Sequence, residues 1–576
     1  MTHSTPVVDV PGTGTTVATR EGEPGIMIQS TMQSGNLSLA SLVDYSRKSF
    51  PEGKVRTWTG SDFRDISFAE IGAQGAQLAH ALTAIGIGRG DRVATFMWNN
   101  NEHQVVYAAV PAMGAVLHTV NLRVSPEQAV FILNHAEDKV ILVDASVAPM
   151  LSGYVAEAPG VRHVIVVNGP VDSFTAPDWV TVHSYEDFLA GHPTTYDWPD
   201  DIDERDAAVL CYTSGTTGDP KGVVYSHRSI YLHSLTATST TGLGMSNRDT
   251  MLAIVPMFHV MSWGLPYAAM MCGATIIMPD RFLQPEPLLA MMEAGRPSLA
   301  AAVPTIWQGV MGQLRTAPQD ISHLREVIVG GAAVPHSMIK AFDEFNAPIT
   351  HAWGMTETSP LGSIARPPAG VEDADEAFAF RVTQGRFPPL VAGRIVDDEG
   401  NELPWDGEAS GELEVSGPWI TGAYYQPDGN VSAPDKFHEG WLRTGDVATI
   451  SPHGYMTIVD RTKDIIKTGG EWISSVELEN AVMSNPVVLE ATVIGVPDAK
   501  WDERPFVLAV VSSEADADID AHKAFLADLV PRWQIPERWS FVTEIPKTSV
   551  GKFDKKAVRS RYAEGGYQVH GTPAGE

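Results

Sequence analysis

Tyr212-Thr213-Ser214-Gly215-Thr216-Thr217-Gly218-Asp219-Pro220-Lys221-Gly222 follows directly on the apolar run Ala207–Cys211. A buried-strand run that opens into hydroxyls, glycines and one lysine marks where an α/β sheet holds a ligand, beyond the carboxyl ends of its strands. The glycines let backbone N–H groups approach closely and Lys221 adds a positive charge, which suits a polyphosphate. This is not a GxxxxGK[ST] loop, because Pro220 stands where that pattern needs glycine. On composition alone an ordinary Gly/Ser/Thr connection between strands fits as well.

Outward from this loop the chain alternates. Arg92–Trp98 reads as a strand, Glu102–Met113 as a helix and Ala115–Val120 as a strand. Ser125-Pro126 opens a helix to His135, with serine as N-cap and proline in the first turn, and Val140–Asp144 is a strand again. Strands at Met251–Val255, Ala274–Met278, Ala300–Val303 and Val327–Gly330 continue the rhythm after the loop. The expected fold is therefore α/β with doubly wound parallel sheets. Short Gly- and Pro-punctuated strands between Leu390 and Ile458 predict a β-rich module. Beyond Asp460 a compact α+β pattern follows, with a helix over Ser475–Met483, strands over Glu490–Val496 and Phe506–Val511, and a helix over Asp520–Leu529. The expected organisation is a flexible tail over 1–29, a large domain over 30–459, a connection over 460–466, a small domain over 467–562 and a second flexible tail over 563–576.

The 576 residues carry 40 Lys plus Arg against 70 Asp plus Glu, a formal charge of −30. An acidic chain is repelled by nucleic acid and by anionic membrane surfaces, so neither is expected as the main partner. Two cysteines, Cys211 and Cys272, are too few for a disulfide framework, a CxxC zinc site or an iron–sulfur cluster, and a reducing, cytoplasmic location is expected. Met1–Gln29 has no apolar run that would make it a targeting helix. Thr250–Pro279 lacks Asp, Glu, Lys and Arg, but Pro256, Gly264, Pro266 and Gly273 break it. It reads as a buried strand–helix–strand and not as a membrane span. Neither a monomer nor a homodimer is excluded.

Four further stretches follow the loop in order. They are Trp353-Gly354-Met355-Thr356-Glu357-Thr358, Arg443-Thr444-Gly445-Asp446, Asp460-Arg461-Thr462-Lys463-Asp464-Ile465-Ile466-Lys467 and Pro546-Lys547-Thr548-Ser549-Val550-Gly551-Lys552. With the loop they resemble the signature of the adenylate-forming superfamily of acyl-CoA synthetases, luciferases and peptide-synthetase adenylation domains, from about Leu37 to Arg561. The resemblance implies a small, mobile C-terminal domain that closes over the large one. It also implies two steps: a carboxylate attacks the α-phosphate of ATP to give acyl-AMP and pyrophosphate, and the thiol of coenzyme A then displaces AMP. Such chemistry asks the protein for positioning and charge neutralisation.

By the same resemblance Thr213 and Glu357 are the Mg²⁺-side groups, hard oxygen donors as that ion requires. Ser214, Gly215, Thr216, Thr217, Gly218, Lys221 and Thr356 would hold phosphates. Gly331 would let adenine lie against backbone, with His351 and Ala352 beside it, and Asp446 would accept from the ribose diol. Many relatives have Gln or Asn and then Gly where His351 and Ala352 stand. Arg461 would contact ribose or phosphate, Lys463 would sit at the nucleotide and serve as the hinge, Lys467 would be an active-site lysine, and Lys552 would bridge carboxylate and α-phosphate. Taken singly, Thr213 could be a loop cap, Glu357 a solvated acid, and Lys552 one of several exposed lysines beside Lys547, Lys555 and Lys556.

Pro256-Met257-Phe258-His259-Val260-Met261-Ser262-Trp263 is similar to the subset that activates fatty acids, in which the histidine sits at the acyl–nucleotide junction and the tryptophan gates an apolar tunnel. The i, i+4 spacing predicts His259 and Trp263 on one helical face. A medium- to long-chain fatty acid is the expected substrate, with short-chain, thioether or aromatic acids as alternatives. A luciferase-like oxygenase and a catalytically dead binding member are the readings from other classes; intact Lys221, Glu357 and Lys552 speak against the second.

Overall fold

Val140-Ile141-Leu142-Val143-Asp144 is buried at every position, as a strand covered on both faces must be. It stands third in a seven-stranded sheet ordered Thr181–Ser184, His163–Val167, Val140–Asp144, Arg92–Phe96, Val116–Thr119, Ala207–Tyr212 and Gly222–Ser226. All its pairings are parallel except the last, where the chain returns antiparallel after the Thr213–Lys221 connection. The computed structural model describes residues 30–33, 35–213, 219–429, 433–469, 471–548 and 551–571. The expected tail over 1–29 lies outside the described residues.

A second, eight-stranded sheet carries Leu299–Ala302, Glu326–Gly330 and Ile349–Gly354 in parallel, closed at its edges by antiparallel Leu361–Ile364 and Phe63–Ser67. The helix Asn101–Ala112 is buried on all sides but at Glu102, and its Val105, Tyr107 and Ala109 join both sheets in one core. A helix apolar all round belongs between layers. The helix Pro126–His135 begins with the expected Ser125 cap, closed into a capping box by Gln128. The β module pairs Ala392–Val396, Ser410–Ser416, Trp441–Ile450 and Met456–Arg461 in antiparallel fashion. A separate five-stranded sheet begins at Ile466–Thr468, with Val488–Asp498 and Asp502–Val511 as its long hairpin. Among the described residues no helix is long and apolar enough to cross a membrane.

Two expectations are corrected. The C-terminal stretch from Ala563 is not a loose tail through Gly571. Tyr567 is 8% exposed within the small domain's core, and His570 and Trp539 exchange backbone hydrogen bonds of 3.0 and 2.7 Å. The aromatic ring anchors what glycine composition alone would leave free.

The second concerns Val260–Trp263, which is a left-handed turn and not a right-handed helix: φ is +47° at Val260, +53° at Met261, +50° at Ser262 and +55° at Trp263. Each such residue costs about 1–2 kcal/mol. The turn is held by burial, by Ser262 Oγ donating to the Val255 carbonyl at 2.6 Å, and by Gly264 ending it at φ +72°. The i, i+4 argument for His259 and Trp263 therefore fails, although the two side chains do share a cavity.

Candidate active site

The carboxyl ends of the strands deliver the polar groups. Tyr212 ends one strand, and Thr213 follows with its N–H donating to the Lys221 carbonyl at 2.9 Å while its Oγ1 accepts from the Lys221 N–H at 3.3 Å. These bonds close the base of the loop. Ser214–Gly218, expected to hold phosphate, lie outside the described residues. The strand Ile349–Gly354 ends at a short 3₁₀ turn, Thr356–Thr358, that carries buried Thr356 and Glu357. Tyr225 O–H donates to the Thr356 carbonyl at 2.6 Å, and the Glu357 carbonyl accepts from Thr421 N–H at 2.8 Å, fixing that turn from both sides.

Glu357 Oε1 accepts from Tyr424 O–H at 2.7 Å, and Lys221 Nζ lies 4.9 Å from the centre of the same tyrosine ring. One aromatic side chain thus joins the acid to the loop lysine. Asp446, 2% exposed, accepts from Trp353 Nε1 at 2.9 Å and pairs with Arg461 Nε at 3.1 Å. Asp446 is the leading cause that holds the Arg461 guanidinium above its ordinary range.

Lys552 reaches this site from the small domain. Its loop is docked by Thr305 Oγ1 donating to the Gly551 carbonyl at 3.1 Å. Gly331 has φ +86°, a conformation that favours glycine, and a Cβ there would press on Val303 at 3.3 Å while meeting Lys552 Cε in ordinary contact at 3.5 Å. Burial, then repulsion by Arg461, pushes the Lys552 ammonium down to about 8, against the pull of Asp446 and Glu357. His259 is pushed down to about 3 by burial and, next, by Lys552, so it is neutral.

Thr213, Lys221, His259, Trp263, Glu357 and Lys552 line one cavity of about 260 Å³, together with Gly331, Ala352, Thr356 and Arg461. His351, Asp446 and Lys463 line an adjoining cavity of about 280 Å³ that shares Gly331, Ala352, Arg461 and Lys552. His351 is 2% exposed, is lowered to about 4 by burial, and its Nδ1 has no hydrogen-bond partner among the described residues. Lys463 is exposed, and the carboxylate of its neighbour Asp464 is paired with Arg559 at 2.6 Å.

Lys467 stands elsewhere. It is exposed on the strand Ile466–Thr468, its N–H donates to Glu503 at 3.0 Å, and it lines neither cavity. Lys467 and Lys552 sit on one small domain, and its placement here presents Lys552 alone to the site.

Tyr424, Lys436 and His233 also line the first cavity and carry no motif in the sequence. Tyr424 follows a turn in the β module and His233 is one residue of an ordinary-looking helix, so no local spacing points to them. Trp353 lay within a quoted motif, but its bond to Asp446 could not be read from a pair 93 residues apart.

The first cavity thus combines Lys221, Lys436, Arg461 and Lys552 with the apolar side chains of Trp263, Leu265, Ile328 and Leu361, a lining suited to a molecule both anionic and apolar. The family model of AMP-binding enzymes matches residues 46–425, and that of the AMP-binding enzyme C-terminal domain matches residues 477–552. The chain belongs to the AMP-binding enzyme family. A 3-methylmercaptopropionyl-CoA ligase of Ruegeria pomeroyi is 42% identical over 92% of this chain and 98% of that protein. A long-chain-fatty-acid–CoA ligase of Thermus thermophilus is 40% identical over 94% and 98%. The crystal structure of an anthranilate CoA ligase with anthranoyl-AMP superposes with a TM-score of 0.82, covering 92% of this chain and 98% of the other at 22% identity. Within the family this chain is an acid–thiol ligase that works through an acyl-adenylate.

Proposed function

We propose that this acyl-CoA ligase activates a medium- to long-chain apolar carboxylic acid with ATP, Mg²⁺ and coenzyme A. The observation that carries the reading is the lining of one cavity, which combines Lys221, Lys436, Arg461 and Lys552 with the apolar side chains of Trp263, Leu265, Ile328 and Leu361. In the first step a carboxylate oxygen bonds to the α-phosphorus as the bond to pyrophosphate breaks. Lys552 offsets the negative charge that builds on the α-phosphate, and Lys221, Lys436 and Arg461 offset charge on the leaving side. Asp446 accepts from the ribose hydroxyls, and His351 and Gly331 bound the space for the base. Neutral His259 adds no charge beside the carboxylate.

Thr213 and Glu357 fit the Mg²⁺ of a metal–nucleotide complex, since both offer hard oxygens in one cavity and Tyr424 occupies only one carboxylate oxygen. The ion would neutralise phosphate charge there. In the second step the coenzyme A sulfur bonds to the acyl carbon and AMP leaves. For this the small domain turns about Lys463, withdrawing Lys552 and bringing a different face, with Lys467, toward the site.

A shorter thioether acid is the second reading, supported by the likeness to the 3-methylmercaptopropionyl-CoA ligase. A panel of C2 to C18, aromatic and thioether acids with ATP, Mg²⁺ and coenzyme A, scored by AMP and thioester formation, tests both. Thioesters from aromatic acids alone would overturn them.

A further inference from the structure

Asn99-Asn100-Asn101 connects the strand Arg92–Phe96 to the helix Asn101–Ala112 and belongs to none of the five motifs. Its three carboxamides serve different parts of the molecule. Asn100 caps the helix by accepting from His103 N–H at 3.0 Å, and Asn101 accepts from Thr57 O–H at 2.7 Å and donates to the Arg64 carbonyl at 2.9 Å. Asn99, 3% exposed, reaches across to the other sheet. Its Nδ2 donates to the Ala253 carbonyl at 3.0 Å and to the Val255 carbonyl at 2.8 Å, and its Oδ1 accepts from Met257 N–H at 2.6 Å. One planar group thus fixes three points of the backbone that leads from the strand Thr250–Ala253 into the left-handed turn.

That turn needs holding. Val260–Trp263 is the one run of successive non-glycine residues at positive φ among the described residues, and such backbone persists only where its surroundings over-determine it. The bonds converge on its approach. Val255 C=O takes Ser262 Oγ as well as Asn99, and Met257 C=O accepts from Tyr107 O–H at 2.5 Å. Both backbone groups of Met257 are therefore pinned, the N–H by Asn99 and the carbonyl by Tyr107. From Met257 to Leu265 every residue is buried except His259 and Trp263, and these two line the first cavity with Val260 and Leu265. The adjoining cavity, where His351, Asp446 and Lys463 stand, takes no part of its lining from this segment.

We infer that Asn99 and Tyr107 are positioning residues for the acid: they set where His259 and Trp263 stand in the lining of the first cavity, and so govern the use of the acid but not of ATP. This rests on the proposed reading of that cavity as the place of an apolar carboxylate. Neither Asn99 nor Tyr107 lines the cavity, so their effect passes through the backbone of the turn. Aspartate is the sharpest probe of Asn99. It keeps the shape and the acceptor for Met257 N–H, but sets an acceptor against two carbonyls where the amide had donated. The same change at Asn101, 2% exposed and bonded away from the turn, is the control.

The test uses the full-length protein and measures kcat and KM for AMP release with coenzyme A present, across n-alkyl acids from C2 to C18. Asn99→Asp should lower kcat/KM for the acid about ten-fold, a fraction of what a misplacement of about 1 Å can cost, and shift the preferred chain length. The KM for ATP should stay within about two-fold, since the nucleotide groups are left in place. Tyr107→Phe should act in the same direction by about three-fold, the net effect of one hydrogen bond. Asn101→Asp should lower the melting temperature as Asn99→Asp does, yet leave the acid and ATP constants unchanged. Equal changes in the acid and ATP constants of Asn99→Asp, or none, would overturn the proposal, and so would an acid-only loss in Asn101→Asp. Should Asn99→Asp fail to fold, Tyr107→Phe decides, and an unchanged acid profile there overturns it. No thioester from any acid in the wild type would sink the substrate reading and this assignment with it, whereas normal wild-type kinetics with unsplit variants sinks this assignment alone.

Discussion

Around the two adjoining cavities the charged side chains hold one another: Asp446 takes Trp353 and Arg461, and Glu357 takes Tyr424, whose ring lies against Lys221. Elsewhere the lining of the first cavity is aliphatic and aromatic, with the neutral imidazoles of His233 and His259 among it. The difference follows from what each end must bind. Charge that develops during reaction is stabilised by groups already oriented, because turning them at that moment costs energy. Apolar contact is non-directional and grows with area, so a chain needs shape more than aim. Lys552 stands between these regimes, brought by a second domain whose loop docks on the first through Thr305.

If that contrast is right, removing the junction lysine is the most damaging change. Lys552→Ala should slow acyl-adenylate formation, read as pyrophosphate release, by about 10²–10³-fold, the scale for losing one preorganised donor. Thioester formation from supplied acyl-AMP should stay within a few-fold. Equal loss in both half-reactions would mean that Lys552 holds the domain in place and does not act on the first step.

Asp446→Ala comes next. It leaves Trp353 Nε1 and Arg461 without their acceptor and deletes the proposed ribose contact. At roughly 1.5–3 kcal/mol for hydrogen bonds to a charged group, the KM for ATP should rise about 10–100-fold. The KM for the acid should hold, since Asp446 lines only the adjoining cavity. A parallel rise in both would join the two ends that the structure keeps apart.

A smaller effect follows from the ammonium itself. Lys552 is lowered to about 8 by burial, so it is charged below that pH and neutral above it. The kcat/KM for adenylation should therefore be full near pH 7 and fall about ten-fold per unit well above pH 8, since this ratio reports the free enzyme. Lys552→Arg should push that limb beyond pH 10, with a lower plateau. A limb unmoved by arginine would assign the titration to another group.

The same contrast explains what the sequence reveals. Val140–Asp144 and the Ser125 cap were legible because a strand buried on both faces is an apolar run and a cap is a local bond. Thr213, Glu357, Asp446 and Lys552 could be singled out only as a set, through five motifs in the order of a known family, since singly Thr213, Glu357 and Lys552 each have an ordinary reading. The pairing of Val55 with Ile276 was not legible, since nothing local fixes a strand partner more than 200 residues along the chain. Nor was the left-handed turn at Val260–Trp263, where tertiary burial overrides the preference of L residues for negative φ. Tyr424 and His233 escaped for a related reason: each lines a cavity whose other walls come from distant parts of the chain. Sequence reports local chemistry well, and cavities poorly.

The finest test lies at Tyr424, which touches the nucleotide end through its hydroxyl and bounds the shared cavity with its ring. Tyr424→Phe removes one donor from a buried carboxylate but keeps the ring under Lys221, so packing and the cation–π contact survive. Glu357 then loses an orienting bond worth about 1.5–3 kcal/mol when its acceptor is ionised, although part of that returns if solvent or Mg²⁺ takes the freed oxygen. The expected result is a two- to five-fold change in the Mg²⁺ concentration for half-maximal adenylation, roughly the part of that energy left after compensation. The order of preference among acids should not move, because no hydroxyl at this position faces the aliphatic wall. A changed acid preference with unchanged Mg²⁺ dependence would place Tyr424 at the acyl end, and the division of the cavity into a bonded half and a shape-fitting half would have to be redrawn through its ring.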